Sequence, residues 1–243
     1  MKKIAVIPAR FAATRFHGKL MQKIGDKTVI RMVYENVLSM QIFDQVIVVT
    51  DSNEIMEEIK SIGGEVIKST RNHQSGTDRV AEAVENMDVD VVVNIQGDEP
   101  FIEAGPLKSL VDAFLDPLVS VASVMKKLGV DEDINNANIV KVVCDKLNNA
   151  VYFSRSPIPY KRNLQSTLPV YKHIGVYAFK KDTLLAFTQW PMSLLEQAEM
   201  LEQLRYLENG VSIKMIETEI NSIGIDTPED LEKARALFAN RQQ

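Results

Sequence analysis

Three cationic side chains follow the first apolar stretch of the chain and could bind a strongly anionic ligand. The apolar run at 4–7 predicts a buried strand, and Arg10, Arg15 and Lys19 come after it in a loop that contains Gly18. Ligands of open α/β sheets bind beyond the carboxyl ends of the strands, and guanidinium and ammonium groups bind phosphate. The loop therefore predicts a polyphosphate site, with an ordinary solvated basic loop as the alternative.

Two common phosphate-binding motifs do not fit this loop. A Walker loop built on Gly18 and Lys19 needs glycine at position 13 and serine or threonine at position 20, where the chain has Ala13 and Leu20. A dinucleotide fingerprint needs three glycines after the strand, and the loop has Gly18 alone. We therefore expect phosphate to be bound mainly by cationic side chains.

Two adjacent carboxylates follow another predicted strand, DVVVNI at 90–95, in the sequence QGDEP. In a parallel sheet this strand would deliver Asp98 and Glu99 to the same edge as the cationic loop. A hard cation such as Mg²⁺ is often held by one carboxylate, with substrate phosphates and water as its other ligands. The sequence predicts such a site here, and the alternative is an ordinary acidic turn.

The composition favours one compact domain that binds a small ligand. With 243 residues and 45% hydrophobic content, the chain can bury a sizeable core. Its 33 acidic residues exceed its 28 basic ones, and the formal charge of −5 argues against nucleic-acid binding. We expect a cytoplasmic protein without membrane insertion, because the N-terminus lacks a signal-peptide pattern and no apolar run approaches the roughly 20 residues of a membrane span.

Cysteine and zinc chemistry are not indicated. Cys144 is the one cysteine of the chain, which excludes an intramolecular disulfide and a cysteine-based zinc site. It lies in the apolar run VKVVC, which predicts buried packing. The three histidines, at positions 17, 73 and 173, are too scattered to predict a zinc site.

Strands and helices alternate up to about residue 125, which predicts a largely parallel sheet. Beyond that point IVKVVC and AVYFS flank the turn residues KLNN and predict a hairpin, so we expect the sheet to become mixed. The irregular segment 161–169 is typical of a binding loop or lid. We predict a single domain over 1–243, in which residues from about 126 to 216 form a small lobe that covers the ligand edge.

Capping signals locate two helices near the candidate ligand edge. Thr77 is predicted to cap the helix that follows the loop containing HQSG. Thr227 is predicted to cap the last helix, with Pro228 at its first position. Asp226 then lies just outside this cap, where it could be a ligand or an ordinary helix-entry residue.

A capping box marks a third helix. Ser193 and Glu196 have the spacing of such a box, and Asn209-Gly210 is typical of a helix end, so one helix is predicted between them. Polar residues on such a helix are usually solvated, and its sequence alone indicates no site.

Seven sequence blocks, taken together, resemble the 3-deoxy-manno-octulosonate cytidylyltransferases, a family also called CMP-Kdo synthetases. The blocks have the family's order and approximate spacing over nearly the whole chain, and several are long and chemically unusual. They are IPARFAATRFHGK, HQSGTDRVAE, NIQGDEPFI, VYFSRSPIPY, KHIGVYAF, MLEQLRYLENG and IGIDTPEDLEKA.

The resemblance implies a nucleotide-diphospho-sugar transferase fold, which is a Rossmann-like α/β architecture with a mixed, mostly parallel central sheet and flanking helices. It implies an enzyme that uses Mg²⁺, transfers CMP from CTP to 3-deoxy-D-manno-octulosonate (Kdo) and releases pyrophosphate, for lipopolysaccharide biosynthesis. CTP and Kdo would be its small-molecule partners. The protein would be a homodimer, with the sugar site and the dimer surface in the lobe at about 126–216.

The family's residue roles carry over where the motif letters agree. The catalytic residues would be Arg10 and Lys19 on the triphosphate and Asp98 and Asp226 on the metal. The resemblance implies a nucleotide site made of Pro8, Ala9, Arg10, Arg15, Lys19, Ser75, Thr77 and Gln96. The implied sugar pocket consists of Arg155, facing the sugar carboxylate, and of His173, Tyr177, Glu202 and Gln203, facing the hydroxyl groups.

The first loop departs from the family's pattern. The family reads STR and then a PGKPL-like run, whereas this chain has Ala13 before Thr14 and Arg15, and has His17 and Leu20 in place of both prolines. Without prolines the unbound loop is more flexible, so ordering it should cost on the order of 1 kcal/mol more per site. We expect weaker CTP affinity or slower turnover rather than a loss of activity.

Three other functions stay open on the sequence alone. The first is the same reaction on a related acid sugar, an 8-amino analogue of Kdo or a sialic acid, although the residues at 155, 173 and 177 favour Kdo. The second is a nucleotide-binding sensor without catalysis, suggested by Ala13, His17 and Leu20. The third is an NAD-type oxidoreductase, which the missing glycine fingerprint disfavours.

Overall fold

The computed structural model describes residues 1–11, 16–73, 75–163, 165–220 and 224–241. The chain divides into two compact units, Met1–Ala104 with Asn221–Gln243 and Gly105–Ile220. None of the helices in the described ranges combines the length and the apolar character that crossing a bilayer requires. The prediction of a single domain with a lobe at about 126–216 stays a prediction.

The first unit alternates strands with helices, as predicted. In chain order its elements are β1 (Lys3–Ala9), β2 (Lys23–Ile24), β3 (Lys27–Thr28), α1 (Val29–Ser39), β4 (Gln45–Thr50), α2 (Asn53–Ser61), β5 (Glu65–Lys68), α3 (Gly76–Val84) and β6 (Val91–Asn94). The short β2 and β3 form a separate antiparallel pair.

Four parallel strands form the main sheet of this unit, in the order β5-β4-β1-β6. β1, β4 and β6 consist almost entirely of buried apolar residues, as expected for strands covered on both faces. Because the strands are parallel, the residues that follow Ala9, Thr50 and Asn94 leave the sheet at one edge. Both predicted ligand segments, the cationic loop and QGDEP, start there.

The second unit begins within α4 and contains the remaining strands. In chain order the elements are α4 (Ala104–Asp112), β7 (Val121–Lys127), β8 (Lys141–Cys144), β9 (Ala150–Ser154), β10 (Tyr171–Lys180), α5 (Lys181–Phe187), α6 (Leu194–Glu199), α7 (Gln203–Glu208) and β11 (Ile213–Glu217). The last helix, α8 (Pro228–Arg241), belongs to the first unit.

Strand pairing in the second unit is mixed, which confirms the predicted change after about residue 125. β10 is antiparallel to β7, β11 is parallel to β7, and β8 and β9 form an antiparallel hairpin. In its turn Asn148 has a φ of 58°, and the Asp145 carboxylate accepts hydrogen bonds from the N–H groups of Leu147 and Asn149, both at 2.8 Å. Asparagine tolerates this left-handed conformation, so the KLNN residues suit the turn.

The prediction of one helix between Ser193 and Asn209 is wrong, because the chain forms α6 and α7 instead. The capping box of Ser193 and Glu196 is confirmed, but Met200 has a left-handed conformation (φ 53°) that ends α6. A buried ion pair joins Glu196 Oε1 to Arg205 Nη2 at 2.5 Å. In one straight helix these two residues would lie on opposite faces, since they are about two and a half turns apart. The break brings them together.

The first turn of α3 corrects a second prediction. Its N-cap is Ser75, not Thr77: the Ser75 hydroxyl accepts a hydrogen bond from the Asp78 N–H at 3.1 Å, and the Asp78 carboxylate accepts one from the Ser75 N–H at 3.2 Å. Both hydroxyls fit a capping pattern, but Ser75 has an acidic residue three positions later that completes a capping box.

Cys144 has a packing role at the end of β8. Its side chain is partly buried rather than fully buried as predicted, because it lies at the strand end, and its Sγ is 3.6 Å from Met125 Sδ. Burial raises the pKa of the thiol to about 11, so little of the nucleophilic thiolate is present at neutral pH.

Candidate active site

The side chains of Lys19, Asp98 and Asp226 meet at the carboxyl edge of the first unit's sheet. Lys19 Nζ donates hydrogen bonds to Asp98 Oδ2 at 2.5 Å and to Asp226 Oδ1 at 3.0 Å. The exposed fractions of the three side chains are 13%, 23% and 47%, so solvent and ligands can reach the cluster. The structure thus brings together three of the four predicted catalytic residues.

Two glycines make this arrangement possible. A Cβ atom at Gly97 would lie 3.2 Å from the Pro8 carbonyl oxygen and 3.3 Å from Ile30 Cδ1, so glycine lets the segment after β6 pack closely against the end of β1. Gly18, directly before Lys19, has a φ of +65°, a conformation that glycine adopts without strain. Close backbone packing therefore positions both the lysine and the first aspartate.

Asp226 is placed by the cap of α8 and by a backbone contact with the QGDEP segment. The Ile225 N–H donates to the Asp98 carbonyl oxygen at 3.0 Å, which joins the two carboxylate-bearing segments. Thr227 caps α8 as predicted, since its hydroxyl accepts from the Asp230 N–H at 3.2 Å and the Asp230 carboxylate accepts from the Thr227 N–H at 3.1 Å. The Asp226 carboxylate lies outside this cap and faces Lys19.

Charge compensation keeps Lys19 protonated. Burial lowers the pKa of its ammonium, but the charges and hydrogen bonds of Asp98 and Asp226 outweigh burial, and the pKa lies above its ordinary value of 10.5. A positive charge is therefore stable where the two carboxylates converge.

Asp98 and Asp226 fit the predicted Mg²⁺ site in the kind and number of their donors. Mg²⁺ is commonly bound by one or two carboxylates, with water and substrate phosphate oxygens completing its shell. Among the described residues, no group of three or more His, Cys, Asp or Glu side chains could hold a metal ion. A metal at this edge would therefore take further ligands from the substrate and from water.

The other predicted nucleotide residues within the described ranges lie at the same edge. A Cβ atom at Gly76 would be 3.8 Å from Pro8 Cγ, so α3 starts next to the end of β1. Arg10 is exposed directly after β1, and Gln96 is partly buried after β6. Arg15 lies outside the described residues. The rest of the predicted set at this edge is Ala9, Ser75 and Thr77.

Arg79 is a charged residue of this region that the sequence analysis did not single out. It lies in α3 with 3% of its surface exposed, and its Nη2 donates to Asp51 Oδ2 at 2.7 Å. Its Nε and Nη1 atoms have no hydrogen-bond partner among the described residues. Burial raises the pKa of Asp51, but the contacts with Arg79 outweigh burial and hold that pKa below its ordinary value. Its position in the block HQSGTDRVAE was the signal that could have indicated it.

The predicted sugar-binding residues all lie in the second unit. His173 Nε2 is 2.9 Å from Ser123 Oγ, and the His173 ring contacts the rings of Phe153 and Tyr177, with centroids 5.2 Å away in both cases. Burial lowers the pKa of His173 to about 3, so its ring is neutral at physiological pH. A neutral imidazole can donate or accept a hydrogen bond with a hydroxyl group.

Glu202 and Gln203 lie where the chain re-enters a helix after the break at Met200. Gln203 is 5% exposed, and its Nε2 has no hydrogen-bond partner among the described residues. A buried amide donor costs free energy unless a ligand or water satisfies it. Tyr177 is close to this point: burial, and then the charge of Glu202, raise the pKa of its phenol well above 10.

The Arg155 guanidinium is bound by backbone carbonyl groups in this structure. Its Nε donates to Glu199 O at 2.7 Å, its Nη1 to Ala137 O at 3.0 Å and its Nη2 to Met200 O at 3.3 Å. Lys141, which is fully buried, donates to the Arg155 carbonyl oxygen at 2.5 Å. A guanidinium has five N–H groups and three of them make these contacts, so the contact of Arg155 with a sugar carboxylate stays a prediction.

Comparison with known proteins identifies the family. A family model described as cytidylyltransferase matches residues 4–216. A 3-deoxy-manno-octulosonate cytidylyltransferase of Flavobacterium johnsoniae is 55% identical, over 98% of this chain and 99% of its own. One of Parabacteroides distasonis is 47% identical, over 99% of this chain and 100% of its own. The chain belongs to the 3-deoxy-manno-octulosonate cytidylyltransferase family.

A solved structure of a CMP:2-keto-3-deoxy-manno-octonic acid synthetase in complex with CTP has the same fold. It matches with a TM-score of 0.94 and 38% identity, covering 99% of this chain and 100% of that one. A cytidylyltransferase of Leptospira borgpetersenii matches with a TM-score of 0.67 at 18% identity, which shows the fold alone. The predicted nucleotide-diphospho-sugar transferase fold is confirmed.

Two residues at which the first loop of this chain departs from the family's pattern, His17 and Leu20, are packed against other residues of the structure. The His17 ring packs edge-on against Phe11, with centroids 5.1 Å apart, and the Gly18 N–H donates to the Phe11 carbonyl oxygen at 3.2 Å. Leu20 is 4% exposed. These contacts restrain the positions that have lost proline, whereas Ala13 lies outside the described residues.

Proposed function

We propose that the chain is a 3-deoxy-manno-octulosonate cytidylyltransferase, which makes CMP-Kdo and pyrophosphate from CTP and Kdo for lipopolysaccharide biosynthesis. Its relatives carry this name and match over nearly the full length of both chains. The single observation that supports the chemistry best is the contact of Lys19 with both Asp98 and Asp226. This contact joins a phosphate-binding cation to two potential metal ligands at one point.

In the proposed reaction, the anomeric 2-hydroxyl oxygen of Kdo attacks the α-phosphorus of CTP in line. A new O–P bond forms while the bond between the α-phosphorus and the bridging oxygen of pyrophosphate breaks, and the hydroxyl proton passes to solvent. Arg10 and Lys19 stabilise the negative charge that collects on pyrophosphate. No covalent enzyme intermediate is needed, which agrees with the raised pKa of Cys144.

Asp98 and Asp226 would hold the divalent cation, for which we propose Mg²⁺. When bound, this ion lowers the pKa of the attacking hydroxyl and neutralises phosphate charge. In the absence of ligand, Lys19 forms ion pairs with both carboxylates and offsets one of their two negative charges. We propose that Lys19 exchanges these carboxylates for phosphate oxygens when CTP and the cation are bound, because the cation would then offset the carboxylate charges.

The sugar contacts belong to the second unit in this proposal. His173 and Tyr177 are neutral at physiological pH and offer hydrogen bonds to sugar hydroxyl groups. Glu202 and Gln203 add further polar groups, and the buried Gln203 amide has a donor that a hydroxyl could satisfy. Arg155 would receive the sugar carboxylate through its remaining N–H groups.

Pyrophosphate release tests the function directly. The purified chain with Mg²⁺ is given CTP and Kdo together, UTP and Kdo together, or CTP alone. We expect rapid release only with CTP and Kdo, and strong inhibition by a metal chelator that added Mg²⁺ reverses. No release with CTP and Kdo, under conditions where the protein is folded, would overturn the proposal and favour a nucleotide sensor.

The choice of acid sugar needs separate arms of the same assay. Kdo, an 8-amino analogue of Kdo and a sialic acid are compared at equal concentrations with CTP. We expect the highest kcat/KM for Kdo. A higher value for either alternative would keep the reaction class and correct the substrate.

We also propose that the enzyme is a homodimer in the cytoplasm, with the sugar site and the dimer surface in the lobe at about 126–216. Apolar side chains of this lobe that are exposed are candidates for such a surface. Those with more than half of their area exposed include Val130, Leu147, Tyr160, Leu194 and Met200. Light scattering on the purified protein gives the oligomeric state.

A further inference from the structure

The Glu82 carboxylate accepts hydrogen bonds from several residues of the loop 69–73. Its Oε1 accepts from Thr70 N–H at 3.0 Å, Thr70 Oγ1 at 2.9 Å and Arg71 N–H at 3.3 Å. Its Oε2 accepts from Ser69 Oγ at 2.7 Å and from His73 Nε2 at 2.6 Å. The Glu82 side chain is 11% exposed and that of His73 is 7% exposed, so these two side chains are largely shielded from solvent.

We call this set of hydrogen bonds to Glu82 the Glu82 clamp. The loop 69–73 that it holds leads directly to predicted nucleotide contacts. Ser69 follows β5 and is anchored to the end of β4, since its N–H donates to the Thr50 carbonyl oxygen at 2.8 Å. His73 comes two positions before Ser75, the N-cap of α3. Glu82 lies in the last turn of the same helix. Glu82, near the end of α3, thus holds the loop that precedes the start of the same helix.

The clamp depends on a charged carboxylate. Burial raises the pKa of Glu82, but the hydrogen bonds from Ser69, His73 and Thr70 outweigh burial and lower the pKa to about 2. A carboxylate can only accept hydrogen bonds, and all five groups that contact Glu82 are donors. A glutamine of the same size would lose the charge and would turn an N–H₂ donor toward some of these donors.

We infer that Glu82 is a positioning residue for the nucleotide site: by fixing the loop 69–73, it holds Ser75 and Thr77 ready for CTP before the ligand arrives. A loop that is ordered in advance loses less conformational entropy on binding, so affinity rises without a new contact to the ligand. Glu82 touches neither of the predicted metal ligands among the contacts described. This inference rests on the proposed function for the identity of its ligand.

The test compares Glu82→Gln with the wild-type enzyme. We expect KM and calorimetric Kd for CTP to rise about tenfold, the usual size for a lost charge-assisted hydrogen bond, with kcat within about twofold. Hydrogen exchange gives a direct reading of the loop, because the amides of Thr70 and Arg71 donate to Glu82. Both amides should exchange faster in the variant, whereas CTP should restore part of their protection.

Glu85→Gln is the matched control. Glu85 directly follows α3 and holds the same loop through Arg71 Nη2 at 2.6 Å, but its side chain is 44% exposed. We expect it to leave KM for CTP unchanged, because an exposed ion pair contributes little. Glu82→Asp, which keeps the charge, should recover part of the affinity.

The outcomes separate this inference from the proposed function. If the wild type releases pyrophosphate and Glu82→Gln binds CTP normally, Glu82 has at most a structural role and the inference is wrong, whatever the melting temperature. If the wild type neither binds CTP nor releases pyrophosphate, the proposed function fails and this inference fails with it. If the wild type binds CTP without turnover, the proposed function fails, and the comparison of Kd values for CTP still tests the role of Glu82.

Discussion

At the scale of single residues, the main feature of the candidate active site is that it holds two carboxylates of like charge close together. Asp98 and Asp226 would repel each other if they converged without a cation, and Lys19 supplies that cation in the absence of ligand. The cost of holding the two carboxylates together is thus offset in part before the substrate binds. A divalent cation would balance the two carboxylates, which leaves the Lys19 ammonium available for the phosphate oxygens of the substrate.

Asp98→Asn tests this arrangement because it removes one charge and keeps the shape. We expect kcat for pyrophosphate release to fall by about 100-fold or more, the usual scale for a lost electrostatic contact to the transition state, with the circular-dichroism spectrum and the melting temperature nearly unchanged. Glu103→Gln, at an exposed carboxylate shortly after Asp98, serves as the control and should keep wild-type kcat. Near-normal Mg²⁺-dependent turnover in Asp98→Asn would contradict its assignment as a metal ligand.

At the scale of elements, the break between α6 and α7 decides which side chains the second unit presents. The buried Glu196–Arg205 ion pair holds the two short helices together. Met200 takes the strained left-handed conformation at the break, and Glu202 and Gln203 follow it directly. The unusual backbone therefore lies next to two predicted sugar-binding residues.

Met200→Gly should stabilise the protein. A non-glycine residue in the left-handed region costs about 1 kcal/mol, and glycine removes this cost. Since 68% of the Met200 surface is exposed, little apolar burial is lost. Gly210→Ala makes the opposite change, because Gly210 has a φ of +73° with no neighbouring atom within 4 Å of an added Cβ. We expect urea unfolding to show a gain for the first variant and a loss of similar size for the second; a loss for Met200→Gly would contradict the strain.

Local patterns in the sequence predicted most of the strands and helices, but they did not predict contacts between residues that are far apart in the chain. The buried parallel strands follow from apolar runs, and the cap at Thr227 follows from its neighbours. The helix break does not, because it goes together with a tertiary ion pair between Glu196 and Arg205 that no local pattern reveals. Likewise the Arg79–Asp51 pair and the Glu82 clamp involve polar residues without any periodic signal. The meeting of Asp98 with Asp226 was expected only through resemblance to a family.

At the scale of the whole molecule, acidic side chains in both units are held charged by their surroundings. In each case burial raises the pKa of the carboxyl group, but hydrogen bonds outweigh burial, so the pKa lies below its ordinary value. These residues are Glu35, Asp51, Glu82 and Asp230 in the first unit and Glu132 and Glu199 in the second. Acid should therefore destabilise both units.

Glu82 allows the sign and the range of this effect to be worked out. Its pKa is about 2 in the folded protein and near 4.5 in the unfolded chain, so the unfolded chain binds the proton more readily between these values. The stabilisation is complete above about pH 5 and is lost as the pH falls through 4.5 toward 2. In urea unfolding at a series of pH values from about 3 to 7, Glu82→Gln should be less stable than the wild type by a constant amount from pH 7 to about pH 5, and this difference should then shrink toward pH 3. In Glu103→Gln, where the carboxylate is exposed, the curve should run parallel to that of the wild type. A constant difference for Glu82→Gln across the range would show that its carboxylate does not carry the charge on which the loop depends.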